Sequence, residues 1–119
     1  SRKNLKVFAL NSDKFPSEKS KIYNAPLMNI GITGDSCMGT AKLPDNISIA
    51  TMNAVEASIY ESNFTHVNQN HTINITGKEK INTTDHYLFW RKKATNKQKI
   101  SAKEMVYHST LIELLNTLN

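Results

Sequence analysis

An α+β fold follows from three features of the 119-residue sequence: short alternating apolar segments, turn residues between them, and a capped apolar stripe at the C-terminus. The expected arrangement is a mainly antiparallel sheet of about five or six strands, with a C-terminal helix over residues 101–118 packed on one face. Residues 1–119 read as a single domain, because the length suits one core and no linker interrupts it.

The elements follow in order. Leu5, Val7 and Ala9 alternate with Lys6 and Phe8, so residues 4–10 read as a first strand. Residues 11–25 are polar and contain Pro16, which predicts a loop. Residues 27–32 read as a second strand entered through Pro26, and Gly34, Gly39 and Pro44 make the following stretch irregular. Residues 47–60 fit two patterns. Ile49, Met52, Val55 and Ile59 recur at helical spacing, while Val55, Ala57 and Ile59 alternate with polar neighbours; the β-branched content and Asn53 tilt the reading to strands.

Residues 64–76 read as a hairpin turning at Asn68-Gln69, with Ile73 and Ile75 inward, and Gly77-Lys78 turns the chain again. A strand through 86–91 would place His86, Leu88 and Trp90 on one face and Tyr87, Phe89 and Arg91 on the other; aromatic on both faces, it should be central or covered. Ser101 and Glu104 have capping-box spacing, and Met105, His108, Leu111, Ile112, Leu115 and Leu118 form the stripe of the final helix, with His108 at the core edge.

Fifteen Lys and Arg against ten Asp and Glu leave a formal charge of +5, which attracts polyanions. Cys37 is the only cysteine, so an intrachain disulfide and a cysteine-built zinc site are excluded and a reducing compartment is favoured. No stretch approaches the ~18 apolar residues of a membrane span, and no signal-peptide core follows Ser1-Arg2-Lys3. A cytoplasmic or nuclear location is therefore expected ahead of secretion. The minority reading, a secreted glycoprotein, rests on sequons at Asn46, Asn63, Asn70, Asn74 and Asn82.

The strongest functional feature is the aromatic cluster at 86–90 followed by Arg91, Lys92, Lys93, Lys97, Lys99 and Lys103, with no acid before Glu104. It predicts a small non-enzymatic binding module that meets nucleic acid or another polyanion through a basic loop at 91–103. Lys92, Lys93, Lys97 and Lys99 would contact phosphates, Arg91 bidentately, and Tyr87 would stack on a base. Burial of Phe89 and Trp90 in a core is the competing fate of those rings.

Two alternatives stand beside this one. The chain would be a regulator or inhibitor docking on a partner protein, or a nucleotide- or phosphate-binding protein using Gly34, Gly39, Thr40 and Lys42. The phosphate-loop pattern requires Lys then Ser or Thr after the second glycine, whereas Thr40-Ala41 stands there and Lys42 comes two positions late. His66 and His71, paired across the hairpin, are weak metal-ligand candidates, with His86 or Asp85 as a further donor. No catalytic residue stands out and no cofactor is called for. The expected partners are nucleic acid or an acidic protein surface, not a membrane, and the oligomeric state is left open.

Two short resemblances complete the reading. The opening NLKVFALNS resembles the start of phosphoribosyl pyrophosphate synthetases but carries no functional motif. Gly34-Asp35-Ser36 resembles the serine block of GDS-type esterases, without the acid-and-histidine block that such a serine needs.

Overall fold

A buried asparagine sets the position of the sheet. Asn24 is almost fully enclosed; its Nδ2 donates to the His71 carbonyl at 3.0 Å, and its backbone N–H donates to the Val106 carbonyl at 2.8 Å. With those groups paired, a polar segment expected to be loop becomes the central strand. In the computed structural model, which describes residues 5–36, 45–46, 48–60, 67 and 69–118, the strands are β1 (Phe8–Ala9), β2 (Lys21–Asn24) and β3 (Tyr107–Thr110). They form one sheet in the order β1-β2-β3, antiparallel throughout. Phe8 lies opposite Asn24, and Ile22 opposite Ser109, with an irregularity between Ile22 and Tyr23.

The α+β class is thus as expected, but among the described residues the sheet has three strands and not five or six. Among the described residues three helices accompany it: α1 (Met52–Tyr60), α2 (Thr83–Asn96) and α3 (Leu111–Thr117). Ile22, Ile30, Val55, Ile73, Ile81, Met105 and Leu114 are buried in the core. Among the described residues the expected strand at 27–32 contributes only a single bridge, from Ile30 to Ser36.

Of the segment 47–60, residues 49–60 take the helical alternative, and residue 47 lies outside the described residues. The Ser48 N–H donates to Thr51 Oγ1 at 2.9 Å, closing a 3-10 turn that feeds α1, and Val55 and Ser58 face inward three residues apart. Of the hairpin expected at 64–76, residues 64–66 and 68 lie outside the described residues. Its described remainder runs through buried Gln69, Thr72 and Ile73 to a tight turn at 75–78. There the Lys78 N–H donates to the Ile75 carbonyl at 3.0 Å and Gly77 takes φ +85°, a conformation glycine adopts without steric cost.

The aromatic segment is a helix. Asn82 Oδ1 accepts from the Asp85 N–H at 2.8 Å and the Asn82 N–H donates to Asp85 Oδ2 at 3.2 Å, a reciprocal cap that starts α2. Lys97, at φ +52°, ends it, with the Gln98 N–H returned to the Lys93 carbonyl at 2.9 Å. His86 and Trp90, four residues apart, share the inward side: His86 is buried, and Trp90 Nε1 donates to the Pro26 carbonyl at 3.0 Å. Tyr87 and Leu88 are exposed. Aromatic residues carry only a modest helix penalty, which the cap and the inward packing override.

The C-terminal segment is not one helix. The Ser101–Glu104 cap closes a single 3-10 turn (Ala102–Glu104), after which Met105 is extended and buried. The chain then pairs with β2 as β3, where its backbone groups find ladder partners, and a second cap starts α3. In that cap the Thr110 N–H donates to Glu113 Oε1 at 3.1 Å. The inward face of α3 centres on Leu114, outside the expected stripe, while Ile112, Leu115 and Leu118 are partly exposed. His108 is exposed, its ring 4.9 Å from that of Phe8.

Candidate functional site

The segment leading to the sole cysteine is a small hairpin gripped on both sides. The Gly31 N–H donates to the Asp35 carbonyl at 2.9 Å and the Gly34 N–H to the Gly31 carbonyl at 3.0 Å. On the other side the Val7 N–H donates to the Gly34 carbonyl at 2.8 Å and the Ser36 N–H to the Leu5 carbonyl at 2.9 Å. Gly34 is required here: it has φ +84° and lies against the Phe8 ring, which a Cβ would overlap. Lys6 Nζ reaches Asp35 Oδ1 at 2.9 Å and the Thr33 carbonyl at 3.2 Å, and Thr33 Oγ1 donates to Asp35 Oδ2 at 2.6 Å. The Thr33 hydroxyl and then the Lys6 ammonium hold the Asp35 carboxyl below its ordinary range.

These hydrogen bonds engage the described part of the phosphate-loop candidate. The amides of Gly31, Gly34 and Ser36 are all directed at carbonyls of the protein, so they do not converge on an anion. Gly39, Thr40 and Lys42 lie outside the described residues, as does Cys37 itself.

A second feature is an open groove of about 870 Å³ between α2, the 75–78 turn and the Ala102–Glu104 turn. Two ion pairs stand in its walls: Lys78 Nζ with Asp85 Oδ1 at 2.5 Å, and Lys93 Nζ with Glu104 Oε1 at 2.7 Å. Lys93 also sits 5.4 Å from the centroid of the Phe89 ring. Glu104 accepts from Lys93 first, and also from the Ser101 amide and hydroxyl; Asp85 accepts from Lys78 and then from the Asn82 amide. Both carboxyls are held below their ordinary range. Lys92 and Lys103 line the same groove and make no ion pair among the described residues.

The expected basic loop is therefore divided. Arg91, Lys92 and Lys93 belong to the last turns of α2, Lys97 is its C-cap, and Lys99 lies in the connection beyond. Lys92 and Lys93 come together in the groove, whereas Arg91, Lys97, Lys99 and Tyr87 do not line it. Glu104, last in the sequence run, folds back onto Lys93, and Asp85 joins the groove from the first turn of α2.

The histidines do not assemble. His71 is exposed, His66 lies outside the described residues, and His86 is buried with Nδ1 3.0 Å from Thr72 Oγ1. Burial lowers the His86 pKa to about 4, so the ring is neutral at pH 7. Among the described residues no group of three or more His, Cys, Asp or Glu is placed to hold a metal. Two sequon asparagines have structural duties: Asn82 caps α2, and Asn74 Nδ2 donates to the Met105 carbonyl at 2.9 Å. No helix among the described residues is long and apolar enough to cross a membrane.

The Lys6–Thr33–Asp35 set was not singled out from the sequence. Its one legible sign is the order Thr33-Gly34-Asp35, two hydrogen-bonding side chains flanking a turn glycine. Lys6 comes from a segment distant in sequence and gives no local signal.

Residues 1–108 match the model of the family described as Prokaryotic E2 family D. No curated protein and no solved structure matches the chain. The match spans most of the sequence, and the chain belongs to this family of E2-like conjugation-system components. That membership overturns the reading as a nucleic-acid-binding module. A prokaryotic family also removes the reason to place the chain in a nucleus.

Proposed function

We propose that the chain is an E2-like acyl carrier, in which Cys37 Sγ accepts the C-terminal acyl group of a ubiquitin-like modifier and passes it to an amine. The observation that carries this reading is the family match over residues 1–108, a span that contains the only thiol in the chain. A thiolate is the best nucleophile that the twenty side chains offer for acyl exchange. In the first step Cys37 Sγ attacks the carbonyl carbon of the donor thioester and the donor's thiolate leaves. In the second an amine attacks the new thioester, loses a proton and releases the Cys37 thiolate as the amide forms.

The hairpin supports this reading by fixing the entry to the nucleophile. Ser36, the preceding residue, is hydrogen-bonded to Leu5 and bridged to Ile30, so the chain enters residue 37 from an anchored backbone. The exchange requires a reduced thiol, which places the protein in the cytoplasm on this reading.

A peptide α-thioester tests it. By mass spectrometry the folded chain should gain one dithiothreitol-labile acyl group, at a rate about tenfold or more above that of the chain unfolded in urea. Cys37→Ala should gain none. Equal rates for folded and unfolded protein would reduce Cys37 to an ordinary thiol and end the proposal.

A further inference from the structure

We infer that the groove between α2, the 75–78 turn and the Ala102–Glu104 turn is a docking surface for an acidic segment of a partner protein, one that interleaves carboxylates with apolar side chains. This goes beyond the acyl-carrier reading and does not rest on Cys37.

The floor of the groove is apolar, and part of it is open. Leu88 projects from α2 with 52% of its surface exposed, next to half-buried Phe89 and Ile75. The walls carry four lysines against two carboxylates. Lys78 and Lys93 are matched by Asp85 and Glu104, which leaves the positive charges of Lys92 and Lys103 without a counter-charge among the described residues. An occupant that satisfies this lining brings about two negative charges and something greasy to lie on Leu88.

The arrangement also separates peptide from nucleic acid. A phosphate chain carries a charge at every nucleotide, so some would fall beside the Asp85 and Glu104 carboxylates, and its backbone has nothing to cover Leu88. A peptide spaces its carboxylates by its sequence and can direct them to Lys92 and Lys103 only. The lining is already ordered: Lys93 is fixed between Glu104 and the Phe89 ring, and Asn74 ties the segment entering the 75–78 turn to the Met105 carbonyl. Little side-chain freedom is lost when such a surface is occupied.

Fluorescence anisotropy with a labelled decapeptide alternating Leu and Asp tests the inference, with Ser/Asp and Leu/Ser peptides and a single-stranded oligothymidylate as comparisons. The Leu/Asp peptide should bind saturably and roughly tenfold tighter than any of the three. Lys92→Glu combined with Lys103→Glu, and separately Leu88→Asp, should each weaken it about tenfold or more. All three residues are exposed, so circular dichroism should show unchanged folding. Cys37→Ser should leave binding intact, so this inference and the acyl-carrier reading stand or fall separately. Absence of peptide binding, equal binding of the Ser/Asp peptide or the oligothymidylate, or indifference to Leu88→Asp would overturn it.

Discussion

Lowering the pH from 7 to 5 should cost the folded protein roughly 2 kcal/mol through one side chain, His86. The imidazole is 3% exposed, with Thr72 Oγ1 at 3.0 Å from Nδ1, and its pKa falls from 6.5 to about 4 because burial penalises the charged ring. An unfolded chain takes up the proton near pH 6.5 while the folded chain refuses it until about pH 4. Stability is therefore complete above pH 6.5 and drains away as the pH falls toward 4, where the loss reaches about 3 kcal/mol. The carboxyls of Asp35, Asp85, Glu104 and Glu113, all held low by hydrogen bonds, add their own losses only once the pH approaches ordinary carboxylate values. The window between pH 7 and 5 thus isolates the histidine. Urea midpoints followed by Trp90 fluorescence should fall across that window for the native chain and stay nearly level for His86→Gln, whatever the variant's stability at pH 7. A native midpoint as level as the variant's would refute the reasoning, because it would mean that the buried ring accepts its proton without penalty.

Two glycines with nearly the same positive φ should respond differently to alanine. Gly34→Ala meets both the strain of φ +84° and the Phe8 ring, a loss of about 3 kcal/mol, whereas Gly77→Ala at φ +85° has nothing near it and should lose about 1 kcal/mol. Chemical denaturation of the pair checks this, and equal losses would show that Phe8 yields freely. Trp90→Phe leaves the Pro26 carbonyl without its donor and should lower stability by about 1–2 kcal/mol in the same assay; no change would mean that water replaces the indole N–H.

The misreading of α2 shows where local pattern gives out. Residues 86–91 alternate as well as any strand, yet the Asn82–Asp85 cap and the four-residue spacing of His86 and Trp90 were also present and describe a helix. Period alone does not choose between them over six residues. The choice falls to partners far along the chain: the Pro26 carbonyl for Trp90 and the Thr72 hydroxyl for His86. The Ser101–Glu104 cap teaches the converse. It forms as expected, but β2 claims the residues after it for a strand, and a helix starts afresh at Thr110.

From residue order alone came the α+β class, the excess of positive charge, the single thiol, the turn at Gly77 and the Ser101–Glu104 cap, because each depends on composition or on neighbours within a few positions. Folding decided which segments pair as strands, that Asp85 and Glu104 stand among the lysines, that His86 is neutral, and that Lys6 grips the turn before Cys37. Each of those joins residues from separate stretches of chain, and their energies arise only when burial and charge bring the stretches together.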